Sequence, residues 1–220
     1  MSLNVAIILD RDMSDGTSAC LDRLRQAGLG VEQAIDDAHS GKRASVLVGL
    51  FQGEDNETHV LLTKRSENLR SHPGQVCFPG GKMEDADHGS DVACAMRETK
   101  EEVGLKGDHI EPVCKLSSSM SVNGLTVTPV VARITKVPFD VNELDLCPQE
   151  VESAFIAPLS LFIKEHHADE VVWHGDLFVM RTYYQSYRGK EFEISGLTAH
   201  ICHEVAQIAF GGTGKRRLIL

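Results

Sequence analysis

Short apolar runs separated by turns predict strands along most of the chain. The run 44–51 (ASVLVGLF) suits a buried strand, 53–56 a turn, and 59–64 (HVLLTK) the returning strand of a hairpin. The segment 65–81 is polar and contains Gly and Pro, and a loop is predicted to follow it as far as about Ser90. Further strands are predicted near 110–117, 124–135, 150–156, 170–174, 177–187 and 190–194.

Apolar positions with a helical period predict helices between these strands. The predicted helices are 18–38, interrupted at 28–30; 90–103, with Ser90 as N-cap and Gly104 as stop; a short one at 159–165; and 198–210. Strands before and after a central helix predict the α/β class, with a mixed β-sheet between helices. The expected organisation is an N-terminal arm with helices at 1–41, one domain at 42–210 and a tail at 211–220.

Amino-acid composition and net charge limit the classes of protein to which the chain can belong. The 220 residues are 42% hydrophobic, which favours a folded domain, and the net charge of −10 argues against a nucleic-acid partner. Six cysteines without a Cys-x-x-Cys pair suggest reduced thiols. Neither a signal peptide nor a membrane span is evident, so no membrane partner is expected. We expect a cytoplasmic protein, with a peroxisomal or mitochondrial location left open, and residues 1–40 are a candidate dimerisation element for a homodimer.

The helix 90–103 carries the candidate chemistry. Glu98, Glu101 and Glu102 fall within about 100° of one another, away from a compact apolar face. Their repulsion would be relieved by a hard cation, and their oxygen atoms suit Mg²⁺ or Mn²⁺. The alternative is a solvated acidic face without function. The apolar face is predicted to consist of Val92, Met96, Thr99 and Val103.

The context of these glutamates resembles the Nudix hydrolase motif. Gly81 corresponds to its start, and Arg97-Glu98-x-x-Glu101-Glu102-x-Gly104-Leu105 corresponds to its end. Asp87 stands where the pattern has its first Glu, and the spacing from Asp87 to Arg97 is longer than in the pattern. Glu84 and Asp85 are therefore alternatives to Asp87.

The segment before the motif is similar to the signature of coenzyme A diphosphatases, including the peroxisomal members of that Nudix subfamily. The matching positions are Leu62-Thr63-x-Arg65-Ser66, Arg70, Gly74 and Phe78-Pro79-Gly80-Gly81. The same segment contains four candidate phosphate-binding side chains, since Arg and Lys suit phosphate oxygens. They are Lys64, Arg65, Arg70 and His72. Gly80 and Gly81 would let the backbone approach the substrate closely.

The resemblance implies a Nudix α/β/α sandwich over residues 42–210 and hydrolysis of coenzyme A to 3′,5′-ADP and 4′-phosphopantetheine. It implies Mg²⁺ or Mn²⁺ held by Glu98, Glu101 and Glu102, with Arg97 orienting a carboxylate and Glu150 as a second candidate base besides Glu98. Two alternatives stay open. One is an ADP-ribose or dinucleotide pyrophosphatase, and the other is a non-catalytic Nudix-like ligand-binding protein.

Overall fold

The computed structural model describes residues 16–28, 30, 42–121, 124–164, 167–173 and 176–211, with the backbone alone for residues 167, 170–173 and 176–178. Three α-helices and eleven strands are found there. They are α1 (Gly16–Ala27), β1 (Arg43–Gln52), β2 (Thr58–Arg65), β3 (Val76–Cys77), β4 (Gly80–Lys82), α2 (Asp91–Val103), β5 (Ile110–Lys115), β6 (Ser119–Met120), β7 (Thr126–Ile134), β8 (Val151–Pro158), β9 (His167–Trp173), β10 (Asp176–Tyr187), β11 (Lys190–Ile194) and α3 (Gly196–Ala209).

The central sheet is mixed. Its main path runs β3-β2-β1-β7-β5, while β8 pairs with β2, β4 with β1 and β6 with β7. Strands β1 and β7 are parallel, and the other pairs in this sheet are antiparallel. A second sheet has the order β11-β10-β9 and is antiparallel. The parallel pairing of β7 with β1 brings the chain after α2 back beside β1. Strand β4 pairs with β1 as well.

Each face of the central sheet is covered by helix. Val48 and Leu50 of β1 belong to a core shared with α1 and α3, whereas Leu47 and Phe51 belong to a core shared with α2. This alternation follows from the two-residue period of a strand. The α/β sandwich with a mixed sheet between helices, expected from the sequence, is therefore confirmed.

Most predicted elements match the observed ones to within a few residues. The segment 65–81, for which no helix or strand was predicted, contains β3 and the start of β4. Strands of two and three residues show too short an alternation to be recognised in the sequence, and long-range pairing with β1 and β2 defines them. The second half of the predicted helix 18–38, the arm before residue 16 and the tail after residue 211 lie outside the described residues.

None of the helices in the described residues combines sufficient length with sufficient apolarity to cross a membrane.

Candidate active site

Helix α2 begins and ends where its sequence predicts. The Ser90 hydroxyl accepts a hydrogen bond from the Ala93 N–H at 3.2 Å, which makes Ser90 the N-cap. Gly104 ends the helix with φ of 69°, a left-handed conformation that glycine adopts at little cost. The apolar face is displaced from the predicted one, since Val92 and Met96 are only partly buried and Glu102 is buried. The carboxylates thus do not form a separate solvated face.

Two glutamates of α2 meet the glycine pair of β4. Glu102 is 3% exposed, and its Oε2 accepts a hydrogen bond from the Gly80 N–H at 3.1 Å. A Cβ on Gly81 would collide with the Glu98 carboxylate, and one on Gly80 would collide with the Ser45 carbonyl oxygen. These contacts explain why the two positions accommodate glycine. They also place both carboxylates against one short strand.

Burial raises the pKa of both glutamates. Burial is the main cause that raises the pKa of Glu102 to about 7, and the nearby charges of Glu98 and Glu150 raise it further against the Gly80 hydrogen bond. The pKa of Glu98 is also raised, mainly by burial, although the Arg97 guanidinium opposes that shift. A cation placed between the two carboxylates would reverse both shifts.

Arg97 is the centre of an ionic network beside these carboxylates. It donates to both carboxylate oxygens of Asp87, from Nε at 2.9 Å and from Nη2 at 3.0 Å, and Nη2 lies 3.0 Å from Glu98 Oε1. Asp87 is 2% exposed and also accepts from the Glu84 N–H at 2.8 Å. The Arg97 hydrogen bonds hold the pKa of Asp87 below its usual range. Asp87 therefore orients Arg97, and both of its carboxylate oxygens already accept hydrogen bonds.

Glu101 shares the Arg97 guanidinium with Glu98, and its charge contributes to the raised pKa of Glu98. Its carboxylate is exposed and lies 2.9 Å from Arg97 Nη1. Glu101 as a third metal ligand stays a prediction. The neighbours Glu84 and Asp85 are exposed as well, in or next to a short 3-10 turn at Asp85–Asp87.

Glu150 reaches the site from a different element. The Cys147 N–H donates to the Glu102 carbonyl oxygen at 2.9 Å, and the turn that follows ends with the Glu150 carbonyl oxygen accepting from the Ser66 N–H at 2.9 Å. Glu150 is exposed, yet its charge contributes to the raised pKa of both Glu98 and Glu102. The backbone of Glu150 is therefore fixed between the end of α2 and the end of β2.

The neighbouring basic residues Lys64 and Arg65 have different surroundings, and the pairing of β2 with β8 shifts register between them. Lys64 Nζ lies 2.9 Å from Glu152 Oε2 and 3.3 Å from Glu67 Oε1, and the Glu152 hydrogen bond is the main cause that raises its pKa. Arg65 is close enough to Glu102 to lower the pKa of that carboxyl. Its Nε is buried without a hydrogen-bond partner in the described part of the chain. Arg65 thus faces the glutamates, and Lys64 is held by carboxylates elsewhere.

The loop after β2 carries the other two basic candidates. The Arg65 N–H donates to the Gln75 carbonyl oxygen at 3.0 Å, which brings the two ends of the loop together. His72 has φ of 55°, and its Nδ1 lies 2.8 Å from the Gln75 side-chain oxygen. Arg70 is exposed at the outside of this loop.

The donor chemistry of Glu98 and Glu102 fits a hard divalent cation. Across the residues described, no three Asp, Glu, His or Cys side chains converge into a closed metal cage. Mg²⁺ does not require one, because it usually keeps several waters and binds through one or two carboxylates together with substrate phosphates. The half-buried Glu98 and the buried Glu102, both of raised pKa, meet that requirement.

Sequence reasoning missed the buried ionic cluster at the other end of α2. Asp91 is 2% exposed and is flanked by Arg43 of β1 and Lys115 of β5. An aspartate next to an N-cap is common at the start of a helix, so the sequence contained no signal of burial there. Lys115 ends an apolar strand, which was the one hint that its charge might be enclosed.

Comparisons with known proteins identify the family of the chain. The NUDIX domain family model matches residues 41–174. Nudix hydrolase 15, mitochondrial, of Arabidopsis thaliana is 37% identical over 180 residues, which are 79% of this chain and 61% of that protein. The chain thus spans less than two thirds of that relative. The uncharacterized Nudix hydrolase NudL of Enterobacter sp. (strain 638) is 36% identical over 173 residues, 77% of this chain and 84% of that protein.

The likeness to solved structures is weaker than the likeness to these relatives in sequence. The MutT/nudix family protein from Enterococcus faecalis has a TM-score of 0.47 and 19% identity, covering 82% of this chain and 64% of that one. The family rests on the domain match and on the identity to the curated relatives. With more than half of its residues matched by the domain model, this chain belongs to the Nudix family.

Proposed function

We propose that this protein is a divalent-metal-dependent pyrophosphohydrolase that cleaves the diphosphate of coenzyme A. The observation that carries the proposal is a pair of glutamates of raised pKa, the half-buried Glu98 and the buried Glu102, which lies against Gly80 and Gly81. Perturbed carboxylates that share a site with a nearby arginine are typical of catalytic centres. Such carboxylates are also unfavourable for a purely structural role, because their charges repel.

Divalent metal, Mg²⁺ or Mn²⁺, would supply charge neutralisation on the diphosphate and a water of lowered pKa. Glu98 and Glu102 would hold it, with Glu101 as a further candidate. Arg97 keeps the Glu98 carboxylate oriented, since it is itself fixed by Asp87. Arg65 would bind phosphate oxygens as its guanidinium faces the same side.

The general base has two candidates with different surroundings. Glu98 is half-buried and has a raised pKa, which makes its carboxylate a stronger base than an ordinary glutamate. Glu150 is exposed and lies on a turn whose backbone is hydrogen-bonded to Glu102 and to Ser66. The base takes a proton from water, the water oxygen forms a bond to one phosphorus, and the P–O–P bridge breaks so that each product keeps one of the two phosphates as a phosphate monoester. Comparing pH–rate profiles of Glu98→Gln and Glu150→Gln would separate the two candidates.

The choice of coenzyme A rests on the segment 62–81. Its skeleton is similar to that of coenzyme A diphosphatases, and it forms β2, the loop after it and β4, which together border the glutamates. The products would be 3′,5′-ADP and 4′-phosphopantetheine. The names of the relatives do not specify a substrate, so the substrate is the part of the proposal that experiment must decide.

The test is substrate profiling with product chromatography. Purified protein is incubated with coenzyme A, acyl-coenzyme A, ADP-ribose and NADH, each with Mg²⁺ and with Mn²⁺. We expect 3′,5′-ADP from coenzyme A or its acyl form as the fastest product. Glu102→Gln, purified in the same way, is the control for contaminating activity.

Other outcomes would identify the alternatives. Preferential hydrolysis of ADP-ribose or NADH would keep the pyrophosphohydrolase and reject coenzyme A as the substrate. Ligand binding without turnover of any substrate, at saturating metal, would indicate a non-catalytic Nudix-like binding protein.

A further inference from the structure

Three carboxylates lie along one side of α2, and this row of residues is called the stripe. At about 100° per residue, Asp91, Glu98 and Glu102 lie within about 40° of one another around the helix. At a rise of about 1.5 Å per residue, Glu98 and Glu102 lie roughly 10 and 16 Å from Asp91 along the axis. Fully buried Ala95 lies on the same stripe. The rotation of the helix about its axis is therefore shared by all three carboxylates.

At the first end of the stripe, Asp91 is held by two strands. Its Oδ1 accepts from Arg43 Nη2 at 2.8 Å and from the Ser45 hydroxyl at 3.1 Å, both on β1. Its Oδ2 lies 3.6 Å from Nζ of Lys115 on β5, which is 3% exposed. Removing such charges from water costs free energy that apolar side chains would not cost. Stability alone is thus a weak account of this cluster.

At the other end of the stripe, the glutamates contact β4, which is itself paired with β1. Ser45 pairs with Gly81 and Val46 pairs with Gly80 in the antiparallel pairing of β1 and β4. Gly80 contacts Glu102 by a hydrogen bond of 3.1 Å. Ser45 is therefore both the donor to Asp91 and the neighbour of the glycine that lies against Glu98. A single strand fixes both ends of the stripe.

We propose that Asp91, with Arg43 and Lys115, is a positioning residue that sets the rotation of α2 and so the placement of the metal-binding glutamates. A carboxylate lies about 5–6 Å from the helix axis, so a rotation of roughly 10° would displace it by about 1 Å. A displacement of that size is enough to cost about 100-fold in a preorganised site. The inference rests on the proposed function, because it assigns the metal site to Glu98 and Glu102.

The test measures metal binding directly on the full chain, without substrate. Mn²⁺ affinity is determined from the loss of the free Mn²⁺ paramagnetic resonance signal, and Tm is recorded for each protein. The variants are Asp91→Asn and Arg43→Gln. The matched control is Leu21→Ala, which removes a buried side chain of α1 in the core on the other face of the sheet.

Asp91→Asn is expected to weaken Mn²⁺ binding at least tenfold. Leu21→Ala is expected to lower Tm as well but to keep the Mn²⁺ affinity within twofold of wild type. Arg43→Gln keeps the Lys115 contact and is expected to give an intermediate loss of affinity. If Asp91→Asn does not fold, Arg43→Gln against Leu21→Ala decides the question.

Two results would overturn the inference, and they are distinguishable. If wild type binds Mn²⁺ and the Asp91 and Arg43 variants bind it as tightly as Leu21→Ala, the cluster contributes stability alone. If wild type binds no Mn²⁺, the proposed metal site is wrong, and the positioning role fails with it.

Discussion

The two ends of α2 each bury a carboxylate, with opposite consequences. Asp91 at the first end is 2% exposed and is matched by Arg43, Lys115 and the Ser45 hydroxyl. Glu102 at the other end is 3% exposed and is matched mainly by one backbone N–H, and its pKa is raised to about 7. The two carboxylates are buried to the same extent, but Asp91 has cationic side chains beside it, whereas Glu102 has mainly a backbone N–H.

This difference separates a positioning carboxylate from a ligand-binding one. A buried charge that the protein itself neutralises can fix the geometry of its neighbours. A buried charge that is left under-neutralised, next to others of the same sign, is destabilising until something else binds. The predictions below test this distinction, beginning with the largest effect.

Glu102→Gln should abolish most of the activity. The amide keeps the shape and an acceptor for the Gly80 N–H but loses the charge that holds metal. A loss of several kcal/mol of transition-state stabilisation corresponds to roughly 10²- to 10⁴-fold in kcat. Steady-state kinetics at saturating metal checks this, with circular dichroism to verify the fold. Activity within twofold of wild type would contradict the assignment of Glu102.

Gly81→Ala should reduce activity without unfolding the protein. Its Cβ would displace the Glu98 carboxylate, and a displacement of about 1 Å costs up to about 100-fold in kcat. The matched control is Gly30→Ala, whose Cβ meets nothing within 4 Å. Equal kcat for the two alanine variants would show that Glu98 does not need its present position.

Arg65→Ala and Lys64→Ala should differ although they are neighbours in sequence. Loss of a charged hydrogen bond to phosphate corresponds to roughly 10- to 100-fold in kcat/KM, and we expect that for Arg65. Lys64 is half-exposed and committed to Glu67 and Glu152, so its removal should change kcat/KM by no more than about fivefold. If Lys64→Ala were the more damaging substitution, the two roles would have to be exchanged.

Metal affinity should depend on pH because Glu102 must be deprotonated to bind. With a folded-state pKa of about 7, the fraction of charged Glu102 rises about tenfold from pH 6 to pH 8. The apparent Mn²⁺ affinity of wild type should rise by about that factor. Isothermal titration at several pH values measures it, and proton release on binding below pH 7 is a second readout. An affinity that is constant over this range would contradict the raised pKa.

Several elements of the fold could be predicted from sequence because they depend on residues that are close together in the chain. The strand β1 and the helix α2 have clear periodicity and caps, so their ends were predicted to within two residues. The grouping of Glu98 and Glu102 also followed from helical geometry. The displacement of the buried face toward Glu102 did not, because it depends on how β4 and β1 pack on the helix.

The remaining features depend on contacts between distant segments. Asp87 could not be distinguished from Glu84 or Asp85 until its pair with Arg97 was known. Lys64 and Arg65 look equivalent in sequence, and only the positions of Glu152 and Glu102 separate them. The enclosure of Asp91 by Arg43 and Lys115 joins three elements far apart in the chain. Short-range patterns contain none of this information.

Thermal unfolding of wild type and Glu102→Gln at pH 8, with and without Mn²⁺, tests the account most directly. A glutamate whose pKa is raised from 4.5 to about 7 on folding contributes stability below pH 4.5 that is lost as pH rises through 7. Metal-free Glu102→Gln should therefore unfold at a higher Tm than wild type at pH 8, by up to about 3 kcal/mol in free energy of unfolding. Mn²⁺ should raise the Tm of wild type and leave the variant nearly unchanged. A lower Tm for the metal-free variant, with an undiminished response to Mn²⁺, would contradict the claim that Glu102 is an under-neutralised metal ligand.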